Sequence, residues 1–320
     1  MIRHIGQKIM NGENLSRDEA MGLTEIDSGS IPELLSVSNK VARHYRGFRL
    51  ELCSIMNARS GKCSEDCKFC AQSGRYHTGA KIYPVAAKEE VLKQAVSMER
   101  AGAKRFSLVT SGRGISERDL DAVLNALELL KRETGLELCA SLGLIDGNKA
   151  RMLKDAGLSM YHHNLETSPD FYSRICTTHT YQDRVDTINA ARKADLRVCA
   201  GGIIGLGETF AQRVDMALEI RRLGVDSVPV NFLNPIPGTP LQDIPAPAPL
   251  TLLHTLAVFR LILPEAVIRL CGGRKTGLRR LQPLAFWAGA DGVMIGDYLT
   301  TGGEDLEQDL QLFRDMGFIF

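Results

Sequence analysis

Cys63, Cys67 and Cys70 stand in a C-x3-C-x2-C spacing within SGKCSEDCKFCAQSGRYHTG. Three soft thiolates closing on one loop are ligands for zinc or for an iron–sulfur cluster. A four-metal core held by three protein ligands keeps one metal position open, which is what a chelating cosubstrate needs. A zinc knuckle needs a fourth Cys or His nearby, and His77 is the only local candidate. Cys53, Cys139, Cys176, Cys199 and Cys271 are scattered along the rest of the chain. Taken singly, each reads as a small buried hydrophobe.

These residues need a scaffold. From about residue 49 the chain alternates short apolar or β-branched runs with amphipathic stretches such as SERDLDAVLNALELLKRETG, the pattern of βα units on a parallel sheet. Eight runs read as strands: FRLELCSIM, KRFSLVTS, LELCASLG, SMYHHNLE, RVCAGGIIGL, SVPVNFLNP, AVIRLCGGR and DGVMIGDYL. They predict an α/β fold, a (β/α)8 TIM-type barrel over residues 49–320, preceded by an N-terminal helical cap over residues 1–48. In the cap, Ser16 and Glu19 give a capping-box signal, and SIPELLSVSNKVARHYRG has helical apolar spacing. The active site of such a barrel lies at the C-terminal ends of the strands, and the cysteine triplet directly follows the first of them. PIPGTPLQDIPAPAP reads as a long loop after the sixth strand.

With 39 basic and 38 acidic residues, the chain has no electrostatic footprint for nucleic acid or an anionic membrane, so small-molecule chemistry is expected. The absence of a long apolar run and of a signal-peptide core leads to the expectation of a cytoplasmic protein. In that reducing compartment its eight cysteines read as metal ligands or thiols, not disulfides.

The triplet, and the longer string from Ser60 to Gly79, resemble the radical S-adenosylmethionine superfamily and, within it, the biotin synthase family. The resemblance extends through the closing DLQLFRDMGF. It implies a 4Fe-4S cluster on Cys63, Cys67 and Cys70 whose fourth iron binds S-adenosylmethionine, with Phe69 by the adenine. It also implies that Glu166 binds the ribose hydroxyls, that Arg184 in TYQDR lies near the cosubstrate, and that Gly201, Gly202 and Gly205 in GGIIGLGET let the backbone approach it. Asn164 and Asn231 would bind the ureido ring of dethiobiotin, and Thr300 and Thr301 its tail carboxylate. Asn231 lies inside a strand, where an unpaired amide is costly and a ligand would supply the partner. The family often has Asp at Glu166 and Asn at His162. His162 and His163 otherwise read as histidines that satisfy barrel hydrogen bonds.

The implied reaction converts dethiobiotin to biotin, with sulfur from an auxiliary cluster deep in the barrel, a 2Fe-2S cluster in the family, held by three cysteines and an arginine. Cys139, Cys199 and Arg269 match those positions, but Ser107 replaces the cysteine of the second strand. Cys271 lies two residues beyond Arg269, and strand pleating repeats every two residues, so both should face one side. Cys139, Cys199 and Cys271 then share a layer drawn from alternate strands, with Cys53 as a further candidate. The expectation is a rebuilt auxiliary cluster, including a four-iron cluster with extra sulfide. The resemblance also implies a flavodoxin or ferredoxin as electron donor and a homodimer. Two alternatives stay open: another member of the same branch, of the hydrogenase maturase or methylornithine synthase type, and a non-catalytic metal-binding protein.

Overall fold

The computed structural model describes residues 1–320. Three helices open the chain: α1 (Ile2–Met10), α2 (Arg17–Thr24) and α3 (Ile31–Arg46). The strands are β1 (Glu51–Arg59), β2 (Arg105–Thr110), β3 (Glu137–Ser141), β4 (Met160–His162), β5 (Arg197–Cys199), β6 (Gly202–Ile204), β7 (Ser227–Phe232), β8 (Val267–Leu270) and β9 (Gly292–Met294). Between and after them lie α4 (Lys88–Arg100), α5 (Glu117–Glu133), α6 (Gly147–Asp155), α7 (Tyr181–Lys193), α8 (Phe210–Arg222), α9 (Pro249–Ile262), α10 (Arg274–Leu278), α11 (Gln282–Trp287) and α12 (Leu306–Asp315).

All the strand pairs are parallel, in the order β5-β4-β3-β2-β1-β9-β8-β7-β6, and the further pairing of β5 with β7 closes the ring. The eight expected runs are all present, but the fifth is broken into β5 and β6. The break has a steric cause. A Cβ on Gly201 would lie 2.0 Å from the Pro229 carbonyl oxygen, so the strand leaves the ladder where it meets a proline that has no N–H to pair.

α9 is apolar on nearly every side because it is sandwiched between the barrel and α3. The opening helices lie along α8, α9 and α11, and their apolar side chains join the barrel in one continuous cluster of 76 buried residues. Beneath α9 the Arg260 side chain is fully buried, donating to the carbonyls of Gly289, Leu263, Pro264 and Ala266 and, at 2.6 Å, to Asp291. Asp291 also accepts from Arg46 at 2.7 Å and from the Ile268 amide at 2.8 Å. Removing this carboxylate strands a buried cation. Asp291→Ala is therefore expected to destabilise the fold by about 3–5 kcal/mol, measured as a lowered urea midpoint at unchanged m-value.

A hollow of about 700 Å³ lies at the pole where the strands begin. Three of the guanidiniums that line it are already matched there: Arg46 and Arg105 pair with Glu51, and Arg105 and Arg197 pair with Glu137. No helix is long and apolar enough to cross a membrane.

Candidate active site

β1 delivers the chain to the opposite pole, where the cysteine loop folds on itself. The Cys63 amide donates to Gln72 O, the Gly74 amide to Cys63 O and the Cys70 amide to Cys67 O. Asp66 fastens the loop to the segment after β4, accepting from the Thr177 amide at 2.9 Å, while the Lys68 amide donates to Ile175 O. The three thiols are free and, with Phe69, Glu166 and Arg184, line a cavity of about 210 Å³. Burial pushes the Cys70 thiol up to about 11 and raises that of Cys63. Thiols held protonated in this way become ligands when a metal replaces the proton, which suits a metal-binding loop.

β4 supplies the next wall. Arg184, on α7, is 7% exposed; it donates through Nη1 to Asn164 O at 2.8 Å and through Nε to the Tyr172 hydroxyl at 2.6 Å. Its guanidinium stands 3.6 Å from Glu166, whose other carboxylate oxygen accepts from Asn164 Nδ2 at 3.3 Å. Glu166 holds a φ of +70°, a left-handed conformation that costs a non-glycine residue of order 1–3 kcal/mol and clusters at ligand sites. Desolvation raises its carboxyl pKa against the pull of Arg184. His163, on the same wall, borders the cavity, and its Nε2 is buried without a partner.

Deeper in the barrel a cavity of about 290 Å³ is lined by Asn164, Glu166, Asn231, Thr300, Thr301 and Cys271, among others. The amide of Asn231 is not waiting for a partner: Nδ2 donates to Gly202 O at 3.4 Å and Oδ1 accepts from the Gly272 amide at 3.0 Å. The expectation that a ligand must satisfy it is corrected, although the residue does border the cavity. The glycines of the fifth run also have a packing role. Gly201, Gly202 and Gly205 line neither cavity. A Cβ on Gly202 would lie 2.5 Å from Glu166 O, and one on Gly205 2.9 Å from Pro247, so they let protein approach protein.

The deepest cavity is small, about 20 Å³, and is lined by Cys53, Cys139, Cys199, Cys271, Arg105, Arg269 and Ser107, among others. Arg269 and Cys271 face it together, as pleating requires. The register sets Ser107 beside Cys139 and Cys199 beside His162. Arg269 is anchored from below by Glu51, donating to its backbone O at 2.9 Å and to Oε2 at 3.1 Å. Four free buried thiols, two guanidiniums and a buried Ser107 hydroxyl with no partner make a donor set for a metal–sulfide core. The space is that of a single water, so such a core must displace lining side chains, of which Met160 and Met294 are the flexible ones.

The three cavities adjoin. Asn164, Glu166 and His162 border both upper ones, and His162, Cys271 and Ile55 border both the middle and the deepest. His162 is held neutral, its pKa lowered to about 4 by desolvation. Cys176, unassigned from sequence, is buried 3.7 Å from Cys67. Sequence reasoning passed over Glu65, Tyr172, His179 and Arg105, although for Tyr172 and His179 the density of polar side chains in TSPDFYSRICTTHTYQDR was a usable signal.

The Radical SAM superfamily profile matches residues 58–220, and the Biotin and Thiamin Synthesis associated domain profile matches residues 229–319. The crystal structure of methylornithine synthase superposes with a TM-score of 0.86 at 21% identity, over 98% of this chain and 96% of that one. The FeFe-hydrogenase maturase HydG of Carboxydothermus hydrogenoformans gives 0.83 at 17%, over 99% and 78%. At these identities the likeness carries the fold alone. Fold, triplet and profile together define a radical SAM enzyme.

The biotin synthases of Pelotomaculum thermopropionicum and Desulforudis audaxviator are 53% and 50% identical to the chain, each over 99% of it and over 98% and 96% of their own lengths. That of Heliobacterium modesticaldum is 49% identical over 99% and 97%. Within the radical SAM superfamily, this chain belongs to the biotin synthase family.

Proposed function

We propose that the chain converts dethiobiotin to biotin by radical sulfur insertion, and that its three adjoining cavities divide the work. The adjacency carries the reading: the middle cavity borders the triplet's cavity on one side and the cysteine-lined cavity on the other. Cys63, Cys67 and Cys70 would hold the 4Fe-4S cluster, and Cys139, Cys199 and Cys271 with Arg269 the auxiliary cluster, Cys53 being the spare thiol. When bound, the first cluster with S-adenosylmethionine supplies a hydrogen-abstracting deoxyadenosyl radical, and the auxiliary cluster supplies sulfide.

The protein's own task is to orient and to exclude water. Arg184 fixes Glu166 and the Asn164 carbonyl, so that Glu166 meets the ribose hydroxyls in a set position, with Phe69 against the adenine. Gly201, Gly202 and Gly205 contribute by bringing β6 against this wall. Asn164 and Asn231 hold the ureido ring, Asn231 with an orientation preset by its own backbone partners. Ile55, Val109 and Met294 keep the space between the two clusters dry, and neutral His162 adds no charge there. Arg269, braced by Glu51, brings a cation to the buried thiolates that the auxiliary cluster requires. Ser107 in place of the family's cysteine, with Cys271 gained, favours a rebuilt auxiliary cluster of the four-iron type with extra sulfide.

Exposed Lys62 and Arg75 flank the triplet and suit the docking of an acidic electron donor such as flavodoxin or ferredoxin. Leu281, Leu284 and Trp287, exposed on and just before α11, suit a homodimer contact. Eight free thiols suit a reducing cytoplasm.

Thr300 and Thr301 give the test. In the Thr300→Val/Thr301→Val chain the KM for dethiobiotin is expected to rise about tenfold or more with kcat nearly unchanged, as for lost hydrogen bonds to a charged group. The alcohol analogue, lacking the tail carboxylate, should be a poor substrate for the parent and little worse for the variant. Equal sensitivity of both chains to the analogue would reject the tail assignment.

A further inference from the structure

Cys176 and His179 are buried beside the triplet, and the proposed reaction uses neither. Cys176 Sγ lies 3.7 Å from Cys67 Sγ and 3.2 Å from His179 Nδ1, and one donor atom from each of the three residues falls within 4.8 Å of the others. A single tetrahedral ion, with metal–sulfur bonds near 2.3 Å and metal–nitrogen bonds near 2.0 Å, sets two thiolates about 3.8 Å apart and a thiolate about 3.5 Å from an imidazole nitrogen. The observed spacings are those of one mononuclear centre. In a four-iron cluster each thiolate binds its own iron and the open position serves the cosubstrate, so Cys176 has no place there.

The surroundings complete a site. Arg184 donates to the Tyr172 hydroxyl at 2.6 Å, and that hydroxyl lies 2.7 Å from His179 Nε2, so when a metal takes Nδ1 the ring proton moves to Nε2 and the Tyr172 oxygen accepts it. Glu65 Oε2 accepts from Nδ1 at 2.5 Å, and moving out to about 3.3 Å would let it serve as a fourth donor once the metal replaces that proton. Thr178 donates to that same oxygen at 2.7 Å and fixes the carboxylate. Two sulfurs, an imidazole and a carboxylate suit a borderline divalent ion, Fe2+ or Zn2+, over Mg2+ or Ca2+.

We propose that Cys67, Cys176 and His179, with Glu65, form a mononuclear divalent-metal site, and that this site and the triplet cluster exclude each other because both need Cys67. Loading releases the two thiol protons to solvent. The exclusion rests on Cys67 being a cluster ligand; the existence of the site does not.

The first test is anaerobic titration with Co2+ of the full chain carrying Cys63→Ala and Cys70→Ala, which lacks the triplet's other ligands. Adding Cys176→Ala or His179→Ala to that background is expected to remove one equivalent of tetrahedral, thiolate-bound Co2+, seen in the visible bands and the sulfur-to-metal charge transfer, or to weaken it more than about tenfold. Near-ultraviolet circular dichroism checks that the fold is kept. Unchanged Co2+ stoichiometry and affinity in both would overturn the site. The second test adds one equivalent of Zn2+ to the cluster-free parent before iron and sulfide, and follows the triplet cluster by its absorbance. Slowed loading that His179→Ala relieves is expected; equal slowing in both chains would overturn the exclusion.

Discussion

Cys70→Ala is expected to abolish reductive cleavage of S-adenosylmethionine and to lower the iron content by four per chain, leaving the fold intact. The side chain is half-buried at the wall of the upper cavity, packed against a small satellite cluster and outside the main core. The loop is held by backbone bonds and by Asp66, none of which the substitution touches. Loss of one of three thiolates removes the cluster altogether, because the open position is already committed to the cosubstrate. Deoxyadenosine should fall to the level of a protein-free control. Persistent cleavage with four irons retained would show that the triplet is not the ligand set.

Cys271→Ala is expected to uncouple the reaction. Deoxyadenosine should still form, since the upper cavity does not include this residue, while biotin should fall below detection as the auxiliary cluster is lost. The cavity offers a rescue. Ser107 sits in register with Cys139 on the neighbouring strand and borders the same cavity, so Ser107→Cys in the Cys271→Ala background restores a third thiolate on a strand where the family carries one. Recovered auxiliary iron and some biotin are the expected results. Biotin formed at the parental rate by Cys271→Ala alone would remove Cys271 from the sulfur-donating site.

The residues that fix backbone periodicity were the legible ones. Alternation of apolar runs with amphipathic stretches gave the barrel, and the two-residue period of a strand was enough to turn Cys271 to the same side as Arg269. Effects that depend on what lies across the barrel were not legible. The break in the fifth run follows from Gly201 meeting Pro229, which lies far from it in the sequence and on another strand. The pairing of Asn231 with Gly202 and Gly272 depends on how three strands end together. Arg184 looks like a solvated helix charge in isolation, and it becomes a buried brace because Tyr172, Asn164 and Glu166 arrive from the loop after β4. The left-handed Glu166 has no sequence signature, since the conformation is imposed by its backbone pairing with Gly201 and Ile203. Cys176 was unreadable for the same reason: only the fold brings it to Cys67.

The most direct measurement is an anaerobic incubation of protein with both clusters loaded, S-adenosylmethionine, a strong reductant and dethiobiotin, with biotin and 5′-deoxyadenosine quantified by mass spectrometry. Formation of both products is the predicted result. Deoxyadenosine without biotin would keep the radical site and contradict the substrate and the sulfur-donating cavity; the absence of both from fully loaded protein would contradict the enzyme itself.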